Sequence, residues 1–163
     1  MPPYFIDFEA FQHGKDNDFQ VKELCMVDAD RPYAPPLHFV FGPNKKWQMC
    51  TNEEKRTYCY LMHHWHKLGW YEGASLYRPL DVIREMKKVF PCFSHAVTYV
   101  LGYEKLKFLQ REFPMMNLRE YGTTRKMLPQ LPLNVSCPYR YHGENCACLK
   151  CYQLIEHYYE LAF

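Results

Sequence analysis

Four of the eight cysteines fall within fifteen residues, in CPYRYHGENCACLKC from Cys137 to Cys151, and His142 lies among them. Thiolate and imidazole are the donors of a tetrahedral structural zinc site, and such sites take four protein ligands. Cys137, His142 and Cys146 have the spacing C-x4-H-x3-C, with Cys148 and Cys151 just beyond. Pro138 and Gly143 let the loop bend around an ion. The later cysteines open the last helical segment, where the helix dipole favours thiolate. A chain of 163 residues, 48% of them hydrophobic, does not need disulfide staples. Cys25, Cys50, Cys59 and Cys92 are scattered rather than framed in pairs. The reading is therefore Zn2+ in a reducing, intracellular compartment, cytoplasmic and/or nuclear. The plain alternative is a set of small buried hydrophobes, which free cysteines often are. The fourth ligand is not evident locally: Cys148, Cys151 or a residue delivered by the fold would serve.

The rest of the chain reads as one domain over residues 1–163, without repeats, low-complexity tracts or a dividing linker. PYFIDFEAF, QVKELCMVDA and PLHFVFG predict three strands in an antiparallel meander, with a turn at HGKDND between the first two. Thr51 and Glu54 in TNEE form a capping-box pattern and start a helix. Its buried stripe is Tyr58, Leu61, Met62, Trp65 and Leu68, and Gly69 is its expected stop. RPLDVIREMKKVF predicts a helix with Pro79 near its start, HAVTYVLG a buried strand, YEKLKFLQREF a helix and MMNLREY a strand. The prolines of RKMLPQLPLN keep it irregular. CLKCYQLIEHYYELAF is a closing amphipathic helix. The fold class is α/β, an α+β-style mixed sheet flanked by helices. Three meandering strands followed by alternating helices and strands match the order of the ribonuclease H-like fold.

Charge narrows the function only by exclusion. Twenty basic against eighteen acidic residues give +2, so no strong basic field advertises nucleic acid or membrane. No run approaches the roughly 18 apolar residues of a spanning helix, and the acids in MPPYFIDFEAF do not suit a signal peptide. No G-x-G-x-x-G, P-loop or nucleophile elbow is present.

Asp7 and Glu9 in FIDFEAF project to one face of their strand, since strand residues two apart share a face. Flanking Phe5, Ile6, Phe8 and Phe11 bury that strand, so the acids are costly unless a cation or donor sits with them. An edge strand with both acids in water is the alternative. His63, His64 and His66 in HHWH have no acidic or thiol partner nearby in sequence and read as a solvated or packed cluster.

A strand with D-x-E, a later YVLGYEKLKFL and a final H-x3-C-A before a helix resemble the DEDD-type 3′–5′ exonucleases, over almost the whole chain. That resemblance implies the ribonuclease H-like fold and four carboxylates holding two divalent ions, with a histidine as base. Here Lys105 stands where the second motif needs an aspartate, Glu104 is one place off, and Cys146 replaces the last carboxylate. A lysine beside the acid pair repels magnesium. The same replacements resemble the Maelstrom-like domain of the germline small-RNA (piRNA) transposon-silencing pathway, which carries a Glu-Cys-His-Cys zinc site. The resemblance implies the ligand set Glu9, Cys137, His142 and Cys146, with Asp7 a remnant or an acceptor for the imidazole. It also implies binding of single-stranded RNA or DNA, protein partners in a silencing complex and no membrane. The binding surface would comprise Lys45, Lys46, Trp47, Arg119, Arg125, Lys126, Arg140 and Tyr141, through cations and stacking aromatics. Two alternatives remain at this stage. One is an active nuclease using Asp7, Glu9, Glu104 and His142 with Mg2+ or Mn2+; the other is a zinc-stapled protein-interaction module.

Overall fold

The computed structural model describes residues 3–13, 19–132 and 135–162. Strand β1 (Tyr4–Phe11) is the centre of a five-stranded sheet, and seven of its eight residues are buried. On one side it pairs antiparallel with β2 (Gln20–Asp28), which pairs antiparallel with β3 (Leu37–Val40). On the other side it runs parallel to β4 (Val97–Val100), and β4 runs parallel to β5 (Asn117–Glu120). The order is β3-β2-β1-β4-β5, and only β2 opposes the other four. Helices α1 (Asn52–Tyr60), α2 (Pro79–Val89), α3 (Tyr103–Glu112) and α4 (Ala147–Ala162) complete the mixed α/β architecture.

The period-2 alternation of β1 and β2 divides their side chains between two cores. Tyr4, Ile6, Phe8, Leu24 and Met26 pack with Val82, Ile83 and Met86 of α2 and with Leu106 and Leu109 of α3. Phe5, Cys25 and Val27 pack on the opposite face with Cys148, Cys151, Leu154 and Ile155 of α4. Asp7 stands opposite Cys25, and Glu9 opposite Glu23, so three carboxylates share the α4 face with Phe5. Just past that pair, β2 carries one extra residue at Lys22, and the register slips between Glu9 and Ala10. Lys22 is buried, and its ammonium donates to the carbonyls of Trp70 and Glu72. Phe11 therefore enters a third, smaller cluster with Cys50, Tyr58 and Trp70.

The expected strands and helices form close to their predicted bounds. The turn expected at HGKDND falls, apart from His13, outside the described residues, as do residues 133 and 134 of the irregular segment. The stretch after α1 differs from expectation. Its last turn widens into a π-helical stretch over Leu61–Trp65, closed by the Lys67 amide donating to the Leu61 carbonyl at 3.4 Å. Lys67, not Gly69, then takes the left-handed conformation, with φ 58°. Of the expected stripe, Tyr58 and Leu68 are buried, while Leu61, Met62 and Trp65 are half-buried.

The capping box forms as read. The Glu54 amide donates to Thr51 Oγ1 at 3.1 Å, and the Thr51 amide donates to Glu54 Oε1 at 2.9 Å. That backbone bond, with the Lys45 ammonium and the Tyr58 hydroxyl, holds the Glu54 carboxyl down at about 2. Thr51→Ala should cost about 1 kcal/mol in denaturant unfolding. The depressed pKa means that Glu54 stabilises the fold fully above its ordinary 4.5, and that this contribution fades as pH falls toward about 2. In unfolding titrations across that window, wild-type protein should lose this increment and Glu54→Gln should lack it throughout.

Candidate metal centre

Glu23 projects from β2 onto the α4 face and is fully buried. Around its carboxylate the fold gathers Cys137 and His142 from the preceding loop and Cys146 from the threshold of α4. One ligand atom from each of the four lies within 4.8 Å of the others. Glu23 Oε2 is 2.9 Å from His142 Nε2, 3.5 Å from Cys137 Sγ and 3.7 Å from Cys146 Sγ. Ligands at 2.0–2.3 Å from a tetrahedral ion sit about 3.3–3.8 Å apart, so these spacings suit one metal ion with little rearrangement. Two sulfurs, one imidazole nitrogen and one carboxylate oxygen are donors consistent with zinc.

Neighbouring groups orient each donor. The Ala147 amide, in the first turn of α4, donates to Glu23 Oε1 at 2.7 Å, which leaves Oε2 for the cluster. His142 Nδ1 lies 2.6 Å from the His66 carbonyl, an acceptor that places the proton on Nδ1 and turns Nε2 toward Glu23. Gly143, at φ 102°, provides the left-handed turn between His142 and Cys146. His38 on β3 adds a contact the sequence reading missed, with Nε2 at 2.8 Å from Glu23 Oε2 and 3.5 Å from Cys137 Sγ.

The electrostatics fit a site that concentrates negative charge. Burial opposes ionisation of Glu23, but hydrogen bonds from His142 and His38 outweigh it and hold the carboxyl below its ordinary range. Burial likewise opposes charge on both imidazoles, yet their bonds to Cys137 and Glu23 lift His142 to about 10 and His38 to about 9. The Cys146 and Cys148 thiols turn toward Cys137, which pushes Cys137 down and Cys146 up. A divalent ion would supply the same neutralisation from the centre of the cluster.

The expected ligand set is thus corrected at one position. Cys137, His142 and Cys146 come together, but their carboxylate partner is Glu23, the cross-strand neighbour of Glu9. Glu9 accepts the Trp65 indole N–H at 3.2 Å and faces the Lys105 ammonium at 3.7 Å. Neither Cys148 nor Cys151 fills the fourth place. Cys151 is directed at the Cys25 and Phe5 carbonyls, at 3.4 and 3.6 Å. None of the eight cysteines is in a disulfide. Glu23 carried the same signal that singled out Glu9, a carboxylate inside an apolar strand.

Asp7 does not serve His142 either. Lys105 donates to Asp7 Oδ1 at 2.8 Å and to the Phe8 carbonyl at 2.6 Å, and Asp7 Oδ2 is buried without a partner among the described residues. Burial raises the Glu9 carboxyl to about 7 despite Lys105, with Asp7 and Glu23 repelling its charge. The four residues expected for a two-metal nuclease are not gathered. Asp7 and Glu9 line a cavity of about 380 Å³, whereas Glu104 is exposed on α3 and His142 belongs to the other cluster. Of the expected binding surface, Lys46, Arg119, Arg125, Lys126 and Tyr141 are exposed. Lys45 is engaged by Glu54, Arg140 by Glu72 and the Lys67 carbonyl, and Trp47 packs against Tyr58 and Trp70. His63 and His64 are exposed, and His66 is buried with its ring against Phe11.

No known family model matches the chain, and no curated protein or solved structure is significantly similar to it. Among the described residues, no helix is long and apolar enough to cross a membrane.

Structural zinc contributes about 10–16 kcal/mol in small peptides, as much as the whole stability of a typical domain, about 5–15 kcal/mol. Glu23→Gln, Cys137→Ser and His142→Ala should each lose stoichiometric zinc and give molten or insoluble protein. Glu9→Gln should keep its zinc, as read by elemental analysis of purified protein. Thermal unfolding of Cys137→Ser at the wild-type midpoint, unmoved by chelator, would refute the site. His38→Ala should weaken zinc affinity by about 10–100-fold in competition with a chromophoric chelator.

Proposed function

We propose that this chain is a ribonuclease H-like domain, held together by zinc at Glu23, Cys137, His142 and Cys146, that binds single-stranded nucleic acid without two-metal catalysis. The observation that carries the reading is the seat of Lys105. Its ammonium lies 2.8 Å from Asp7 Oδ1 and 3.7 Å from Glu9 Oε1, so the cation between these acids is a side chain. A magnesium ion there would meet a fixed positive charge. The strand order with β2 alone reversed supports the ribonuclease H-like reading. The paired metal-donor cluster and disarmed acid pair support the likeness to the Maelstrom-like domain, and with it RNA as the strand and a silencing complex as the setting.

The exposed cations Lys46, Arg119, Arg125 and Lys126 and the exposed ring of Tyr141 are the contacts available to a flexible strand. Charge pairing with phosphates and stacking without base readout grip such strands. In fluorescence anisotropy with a labelled single-stranded RNA, affinity should fall with salt at about −0.7 in log–log slope for each phosphate contacted. Lys126→Ala should weaken binding and shallow that slope. Adding magnesium or manganese should release no mononucleotides. Metal-dependent release abolished by Glu9→Gln, or zinc-loaded protein that binds no strand at all, would overturn the proposal.

A further inference from the structure

The cavity lined by Asp7 and Glu9 holds more positive than negative charge. Lys105, Arg125 and Lys150 face the two carboxylates across it, and Trp65, Phe8, Phe19, Leu61 and Leu101 form much of its wall. Lys105 is consumed by Asp7, Glu9 and the Phe8 carbonyl. The other two cations have no such partner. Lys150 is only 5% exposed, on the first turns of α4, yet its ammonium has no hydrogen bond or ion pair among the described residues. Arg125 lies with its guanidinium 4.9 Å from the Trp65 ring centroid, and no carboxylate is within ion-pair distance of it among the described residues. The stem of Lys150 is buried while its ammonium opens on the cavity, so both cations offer N–H donors to an anion held there.

We infer that this cavity binds the phosphoryl group of a phosphomonoester between Arg125 and Lys150. Three cations against two carboxylates leave one positive charge in excess for a phosphate anion to offset, and a terminal phosphoryl group presents three free oxygens to Arg125 and Lys150 where a backbone diester presents two. The guanidinium offers a fork of N–H donors suited to phosphoryl oxygens, and the Trp65 face restrains its plane. Lys150 supplies a point charge from the cavity wall. Lys105, between Asp7 and Glu9, offsets one of their two charges and lessens their repulsion of the group. An apolar ligand would leave Lys150 unpaired, and a divalent cation would meet three positive side chains.

The phosphomonoester has two sources, a free nucleoside monophosphate or the terminal phosphate of a strand. The second source rests on the strand binding proposed above; the first does not. The test uses the zinc-loaded chain with inorganic phosphate, a nucleoside and its monophosphate, and one single-stranded RNA without a terminal phosphate, with one at the 5′ end and with one at the 3′ end. Calorimetry should show the monophosphate or the phosphorylated strand binding about 10–100-fold tighter than its unphosphorylated counterpart. Arg125→Gln and Lys150→Met should abolish that preference while keeping stoichiometric zinc; the methionine preserves the buried aliphatic stem. Tight monophosphate binding with indifferent strand ends would assign the cavity to free nucleotide. A preference confined to phosphorylated strands would assign it to a terminus. Unphosphorylated strands binding as well as phosphorylated ones, with no uptake of phosphate or monophosphate, would overturn this inference and leave the strand-binding proposal standing. Failure of every strand alongside tight monophosphate binding would do the reverse.

Discussion

A carboxylate fully removed from water sits on β2, and much of the fold is arranged around satisfying it. Glu23 takes a backbone N–H from the first turn of α4, two imidazole nitrogens and two sulfurs. Leaving such a charge unpaired in the interior costs several kcal/mol, so these contacts form together or the site does not form. Apart from His38, 15 residues away, these partners lie 114 to 124 residues from Glu23 and tie the tail of the chain to its opening hairpin. A cross-link over so long a loop is slow to close in folding but restricts the unfolded chain strongly once made. The cluster thereby fixes how α4 lies on the sheet and where its buried cysteines point.

The neighbouring acid pair meets the same constraint by a different solution. Asp7 and Glu9 lie one strand away on the same sheet face, but the cation that reaches them is Lys105 from α3 rather than a set of metal donors. Two adjacent centres of buried negative charge thus differ in kind. One is ringed by thiol and imidazole groups, which give up protons when a metal binds; the other is closed by an ammonium that an incoming ion would have to displace and leave without its carboxylates. The register slip between Glu9 and Ala10 lies beside both and redirects Phe11 into the third cluster. Bulges commonly re-aim side chains next to sites.

Much of this was legible before any coordinates, because local physics dictates it. Alternation about buried aromatics marks β1 and β2, the reciprocal bonds of Thr51 and Glu54 mark the start of α1, and Pro79 marks the first turn of α2. Cys137, His142 and Cys146 stood out because ten residues of chain can bring all three to one point. The end of α1 was not legible. The wide turn at Leu61–Trp65 and the left-handed Lys67 place the His66 carbonyl under His142, and no local preference of LMHHWHK asks for that.

The amino-acid sequence by itself determined the order of strands and helices, the three local metal donors and the presence of costly carboxylates on a buried strand face, since periodicity and spacing act over a few residues. Tertiary structure alone decided which carboxylate joined the donors. Glu9 and Glu23 are cross-strand neighbours on one face, and the choice between them rests on the β1–β2 register, the landing of the α4 N-terminus on Glu23 Oε1 and the reach of Lys105 to Asp7 and Glu9. Each of those is a contact between segments far apart in the chain, fixed by packing and by the cost of unpaired buried charge, and neither leaves a mark in local sequence.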